Sequence, residues 1–279
     1  MLVNSKNALL TAKNENFAIP ATNFIDLDSA RSYVKVAEEK GLPLILAYAQ
    51  SHSEMLAIEE AALIGKFFAK KSPVPVILHL DHGEDTDFIF KAIELGFTSV
   101  MIDASRENFA DNIAITKRVV EYAHQFDVTV EAELGHVGSN DFSESPTLTD
   151  SIYTEVEDVL AFVDQTNVDS LAISIGTAHG IYKGAPTINF ERLEEIDKMT
   201  TIPLVLHGGS SSGDSNLNCC ATHGISKVNI FSDFINDAFY AIQEKKPEDY
   251  LQLKNIANQT MLAVLNHCYD VFATRPISV

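Results

Sequence analysis

Hydrophobic positions along the chain fall into short apolar runs that alternate with longer amphipathic stretches. The runs at 17–23, 42–48, 74–80, 98–103, 128–133, 170–175, 202–206 and 227–231 are rich in β-branched residues. Each reads as a strand buried on both faces. Between and after them, helical spacing covers 26–40, 53–71, 86–95, 112–125, 154–166, 190–199, 216–222, 234–242 and 249–269. Asp28 or Ser29 is available to cap the first of these, with Gly41 as its stop. Gly41, Gly96 and Gly224 mark similar helix-to-strand joints, as if one unit were repeated. Eight strand–helix alternations predict an α/β fold, a closed parallel (β/α)8 barrel. A doubly wound open sheet is the competitor, but no G-x-G-x-x-G follows the first strand. The polar stretch from 135 to 149 is too rich in Ser, Asn, Asp, Gly and Pro to predict regular structure.

The chain has 279 residues and no composition break, so a single domain over 1–279 with a C-terminal helical extension is expected. A net charge of −19 argues against nucleic acid and anionic membranes as partners, since both require clustered Lys and Arg. A small phosphorylated substrate is compatible with that charge, because backbone N–H groups and a bound cation attract phosphate locally. No apolar run is long enough to span a bilayer, and the N-terminus lacks the form of a signal peptide. Cys219, Cys220 and Cys268 form neither a disulfide framework nor a zinc-ligand spacing. A cytoplasmic location is the expectation.

The polar residues that stand out sit where strands end. Asn23 follows the first, Asp81 and His82 the third, and Asp103 the fourth. Glu133 follows the fifth, His179 the sixth and His207 the seventh, while Asn229 lies in the eighth. Barrels of this kind build their active sites at those strand ends. Three imidazoles with an open position make a catalytic zinc site, and a carboxylate beside one of them can move a proton. Taken alone, Asp81 also suits a helix cap, and Asp103 and Glu133 could equally be salt-bridged or hold a second cation, divalent or monovalent. Gly208, Gly209 and Ser210 after strand seven, with Asn229, Ile230, Phe231 and Ser232 after strand eight, lie where such barrels bind phosphate. His79 reads as a buried polar group with a partner, and His124, His223 and His267 as helix-surface residues. His52 and His136 lie in strand exits, within reach of a substrate.

Six segments carry a resemblance. They are His79-Leu-Asp-His-Gly83, Ser99-Val-Met-Ile-Asp103, Glu131-Ala-Glu-Leu-Gly135, Gly176-Thr-Ala-His-Gly180, Leu206-His-Gly-Gly-Ser210 and Lys227-Val-Asn-Ile230. In this order and spacing the chain resembles the class II, zinc-dependent ketose-bisphosphate aldolases of the fructose- and tagatose-bisphosphate type. The resemblance implies that His82, His179 and His207 bind the catalytic zinc and that Asp81 transfers the proton. Gly180, Gly208 to Ser210 and Asn229 to Ser232 are implied to hold the dihydroxyacetone-phosphate half, and Asp103 and Glu133 a second metal. Zinc would polarise the ketone and stabilise the enediolate, so no Schiff-base lysine is required. A carboxylate of the polar stretch, Asp141 or Glu144, is implied to protonate the resulting carbon. A homodimer or homotetramer is implied as well.

Departures from the family pattern bear on substrate. Phe231 is bulkier than the usual residue, Ser232 replaces Thr, Ser211 replaces Gly, and Ala-Thr-Asn23 replaces Ala-Phe-Asn. The C-terminal segment lacks the familiar basic tail, and Arg275 is the candidate substitute. The expected reaction is reversible cleavage of fructose or tagatose 1,6-bisphosphate to dihydroxyacetone phosphate and glyceraldehyde 3-phosphate. The alternatives are the same chemistry on a ketose monophosphate or sugar acid phosphate, a metal-dependent hydrolase, or a non-catalytic sugar-phosphate-binding barrel. A hydrolase barrel would open with His-x-His at its first strand, and this chain has no His before His52.

Overall fold

The computed structural model describes residues 1–140, 150–182 and 186–278. The chain opens with β1 (Leu2–Val3) and α1 (Lys6–Glu15), followed by β2 (Ile19–Asn23), α2 (Leu27–Lys40), β3 (Leu44–Ala49) and α3 (Ile58–Lys71). It continues through β4 (Val76–Gly83), α4 (Thr86–Leu95), β5 (Ser99–Ile102), α5 (Phe109–Ala123), β6 (Thr129–Leu134) and β7 (Gly138–Ser139). After α6 (Val156–Thr166) come β8 (Ser170–Ile173), β9 (Ala178–His179), α7 (Phe190–Met199) and β10 (Leu204–Leu206). The last elements are α8 (Asp214–Thr222), β11 (Ile225–Ile230), α9 (Ser232–Lys245) and α10 (Tyr250–Val271).

Eight parallel strands close into a barrel in the order β2, β3, β4, β5, β6, β8, β10, β11, with β11 pairing back onto β2. The (β/α)8 fold expected from the apolar alternation is therefore present. Outward side chains such as Leu44, Leu46 and Tyr48 join the large core between barrel and helices. Inward Ile19, Ala21, Ile45 and Ile77 instead meet Ala8, Leu9 and Ala12 of α1. That helix plugs the N-terminal end of the barrel, leaving the C-terminal mouth for chemistry.

Several expectations need correction. Neither β1 nor α1 is predicted from the sequence: β1 is two residues long, and α1 has only Ala8, Leu9 and Ala12 buried. The cap of α2 is Asp26, which accepts from Ser29 N at 2.7 Å while the Ser29 hydroxyl returns to the Asp26 backbone. The stretch from 53 to 71 is helical only from Ile58, where the Glu60 carboxylate accepts from Ala57 N. The polar stretch after β6 is partly regular, because Gly138 and Ser139 pair in parallel with Ala178 and His179.

Candidate active site

The site begins with an irregularity in β4. Strand alternation turns Ile77, His79 and Asp81 inward, which would send His82 outward. The β4–β5 register shifts between Leu80 and Gly83, and His82 adopts a φ of 45°. Left-handed backbone is strained for a residue with a Cβ, and such strain clusters at functional sites. Here it brings two consecutive side chains, Asp81 and His82, to the mouth together. Gly83 is required next, because a Cβ there would lie 2.5 Å from the Met101 carbonyl.

His179 arrives by a different route. It lies six residues beyond the end of β8, held by the two-residue β7–β9 ladder. Tyr182 reinforces this segment, its hydroxyl lying 2.5 Å from Ala178 N and 3.0 Å from the Gly208 carbonyl. Gly208 itself has a φ of 65°, and a Cβ would come within 2.4 Å of the Ala178 oxygen. Glycine thus lets β10 approach β9 and brings His207 beside His179.

The three imidazoles converge. His82 Nε2 is 3.1 Å from His179 Nε2 and 2.9 Å from His207 Nδ1. Zinc–nitrogen bonds of about 2.0–2.1 Å would separate tetrahedral ligand nitrogens by about 3.3 Å, so the donor set fits such an ion with slight relaxation. His82 Nδ1 faces Asp103 Oδ2 at 3.0 Å, and His207 Nε2 faces Glu131 Oε1 at 2.8 Å. Each contact turns the opposite nitrogen toward the common centre. A second group, His82 with Asp103 and Glu133, also gathers its ligand atoms within 4.8 Å. Buried Glu133 Oε2 has no hydrogen-bond partner among the described residues, as expected for a carboxylate that shares a cation.

Asp81 is 2 % exposed and is held from both sides. Asn23 Nδ2 donates to Oδ2 at 2.9 Å and Asn229 Nδ2 to Oδ1 at 2.8 Å. Burial pushes its pKa up, but the charges of His82, His207 and Lys227 overcome this and hold it well below the usual carboxylate range. Burial lowers His82, but Asp81 and Asp103 outweigh it and raise the group to about 10. Glu133 is pushed up to about 8 by burial and then by the Asp103 carboxylate. His179 and His207 are held low by burial and by neighbouring His82.

The other sequence candidates divide. Ser210 and Ser232 are fully buried beside each other's segments, with the Ser210 hydroxyl accepting from Phe231 N at 3.1 Å. Ser232 opens the 14-residue α9, whose N-terminus therefore faces the mouth. Gly180, with a φ of 87°, follows His179 directly. Gly209 N is already committed to the Asn229 carbonyl at 3.2 Å. Ile230 turns its side chain into the outer core, so only its backbone reaches the site. Phe231 packs against His52, with ring centroids 4.7 Å apart and the planes tilted by 43°. Arg275 is not brought to the mouth. Its neighbours Ala273 and Ile277 pack with α1, and Thr274 Oγ1 donates to the Ala18 carbonyl, at the opposite end of the barrel. Asp141 and Glu144 lie outside the described residues.

Of the inner polar layer, residue types alone single out His79, which is indeed a buried polar group with partners. Glu131, Lys227 and Ser99, passed over in the sequence, join it in one connected buried cluster. The available signal was period two: Glu131 shares a face with Glu133, and Lys227 with Asn229.

The fold and site define a (β/α)8 barrel with three imidazoles able to hold a metal ion beside a buried carboxylate, and comparison with known proteins narrows the class. The profile of the "Fructose-bisphosphate aldolase class-II" family matches residues 3–275, and the chain belongs to that family. It is 37% identical over 250 residues to "D-tagatose-1,6-bisphosphate aldolase subunit GatY" of Klebsiella oxytoca, covering 88% of each chain. The YdjI aldolase of Escherichia coli K12 superposes with a TM-score of 0.89 at 30% identity, over 98% of both chains. The fructose-bisphosphate aldolase of Campylobacter jejuni shares the fold, with a TM-score of 0.83 at 22% identity over 99% of this chain and 97% of that one. The protein is accordingly an aldolase. Among the described residues, no helix is long and apolar enough to cross a membrane.

Proposed function

We propose that this aldolase is zinc-dependent and reversibly cleaves a ketose 1,6-bisphosphate to dihydroxyacetone phosphate and glyceraldehyde 3-phosphate. The observation that carries the reading is the convergence of His82, His179 and His207 beside Asp81, a carboxylate gripped by two amides. His82, His179 and His207 would hold the zinc, which when bound would supply Lewis-acid polarisation of the substrate ketone. Asp81 is ionised at neutral pH and takes the proton from the C4 hydroxyl as the C3–C4 bond breaks. The bond's electron pair stays on C3, which takes up a proton before dihydroxyacetone phosphate leaves, and Asp81 gives its own back to solvent. In the condensation direction Asp81 gives a proton to the aldehyde oxygen. Asn23 and Asn229 hold the carboxylate plane toward the substrate, which reduces the reorganisation needed as the proton moves. Ser210, the Gly208–Gly209 turn and the N-terminus of α9 receive the phosphate of the dihydroxyacetone-phosphate half. Asp103 and Glu133 would hold a second cation.

The 37% identity to a tagatose-bisphosphate aldolase subunit favours the tagatose epimer over fructose. A second reading, cleavage of a ketose monophosphate, is favoured by two placements. Arg275 sits at the far end of the barrel, and Phe231 packs a bulky ring against His52, just beyond the end of β3.

The test is release of dihydroxyacetone phosphate from tagatose 1,6-bisphosphate, fructose 1,6-bisphosphate and fructose 1-phosphate, each with zinc and after chelation. Zinc-dependent product from a bisphosphate supports the first reading and identifies the C4 epimer. Product from the monophosphate alone supports the second. No product from any of them would defeat both.

A further inference from the structure

A (β/α)8 barrel normally fills its interior with layers of branched aliphatic side chains. Here the layer beneath the mouth contains Lys227, Glu131, His79 and Ser99, each 3 % exposed or less. Lys227 Nζ donates to Glu131 Oε1 at 2.9 Å, to Glu131 Oε2 at 2.7 Å and to His79 Nε2 at 3.3 Å. All three ammonium donors are thereby used. His79 completes the line through Nδ1, 2.8 Å from the Ser99 hydroxyl. At the other end, Glu131 Oε1 accepts from His207 Nε2 at 2.8 Å.

Burying an ion pair gains little stability over well-packed apolar residues, because desolvation offsets the attraction. Barrel filling therefore gives no reason for these residue types, whereas their geometry does. A carboxylate bonded through one oxygen alone can swing about its last torsion. Lys227 grips both oxygens of Glu131, so Oε1 stays opposite His207 Nε2. With Nε2 occupied as a donor, the His207 Nδ1 lone pair faces His82 Nε2 and the metal centre. The 3.3 Å approach of the Asn229 amide to Nδ1 is consistent with that tautomer. His82 and His207 are thus oriented by different means, the first by Asp103 at the mouth and the second from the core.

We propose that Lys227 is a positioning residue of the metal centre, acting through Glu131 to aim His207. The proposal rests on the zinc site inferred above.

The experiment measures zinc affinity, by competition with a chromophoric chelator, for the wild type and Lys227→Met. Visible absorption of the cobalt-loaded proteins is recorded in parallel. Lys227→Met is expected to bind zinc about 10–100-fold more weakly, with altered intensity of the cobalt bands and unchanged far-UV circular dichroism. Removing one member of a buried pair risks misfolding, so Lys227→Met/Glu131→Gln is the second variant. It removes both charges and leaves an amide oxygen, with no ammonium to hold it, opposite His207. If Lys227→Met does not fold, the double variant decides, with the same loss of affinity expected. Zinc affinity within twofold of wild type and an unchanged cobalt spectrum, in whichever variant folds, would overturn the proposal. A wild-type protein that binds no zinc would instead defeat the metal site itself, and the positioning role with it.

Discussion

Asn229 reaches across the barrel from β11 to donate its amide to Asp81 Oδ1 at 2.8 Å, while its own oxygen has no partner among the described residues. The Asp81 carboxylate is thus set in one plane before any substrate arrives. A hydrogen bond to a charged group contributes about 1.5–3 kcal/mol. Asn229→Ala is expected to lower kcat for cleavage by roughly 10–100-fold, with zinc content unchanged. Steady-state kinetics on protein of measured metal content checks this, and loss of zinc in step with activity would count against it.

Phe231 stands where the family pattern has a smaller residue, and its ring packs against His52. If that contact narrows the distal half of the site, Phe231→Ala should shift preference toward bulkier substrates. The ratio of kcat/KM for bisphosphate over monophosphate is expected to rise several-fold. An unchanged ratio would mean that the contact lies away from the distal group.

Gly83 permits the turn that carries His82. A Cβ at that position would lie 2.5 Å from the Met101 carbonyl and 2.6 Å from the Ile89 side chain, and the carbonyl cannot yield without breaking the barrel register. Gly83→Ala should lower stability by about 1–3 kcal/mol, as overpacking does, and weaken zinc binding together with it. Denaturant unfolding of the zinc-loaded and zinc-free proteins measures both.

Much of this was legible in the chain. Eight apolar runs with helices between them predict the barrel because parallel strands are buried on both faces and leave an unambiguous pattern. His82, His207 and Asp81 could be placed because they follow such runs directly. His179 was assigned to the end of the sixth run, yet a two-residue ladder holds it, too short to leave a periodicity. Helix α1 escaped notice because three buried residues in ten give little amphipathic contrast. The Lys227–Glu131 pair escaped for another reason: charged residues in a strand suggest an exposed face, although period two sets them on the same faces as Asn229 and Glu133. Arg275 was proposed as a substitute for the family's basic tail, and the contacts of its neighbours Ala273, Thr274 and Ile277 put it at the other end.

The docking of α10 on α2 contributes a pH-dependent element. Asp28 is held below its ordinary pKa chiefly by a hydrogen bond from Lys254 of α10, with Arg31 adding to it. A depressed carboxylate stabilises the fold above its unfolded pKa, and that contribution is lost as pH falls through the folded value. Lys254→Met should therefore be less stable than wild type at neutral pH, with the gap closing in acid. Unfolding midpoints at a series of pH values test this, and a gap that persists below the carboxylate range would assign the effect to packing of the lysine stem.

Cleavage as proposed requires Asp81 to move the proton at a zinc site formed by His82, His179 and His207. The direct measurement is cleavage by Asp81→Ala and wild type, each assayed with bound zinc quantified, after chelation and after zinc is restored. Wild type is expected to lose activity on chelation and regain it with zinc. Asp81→Ala is expected to retain its zinc but cleave about 10²–10⁴-fold more slowly. Full cleavage by chelated wild type, or wild-type rates from zinc-loaded Asp81→Ala, would contradict this mechanism.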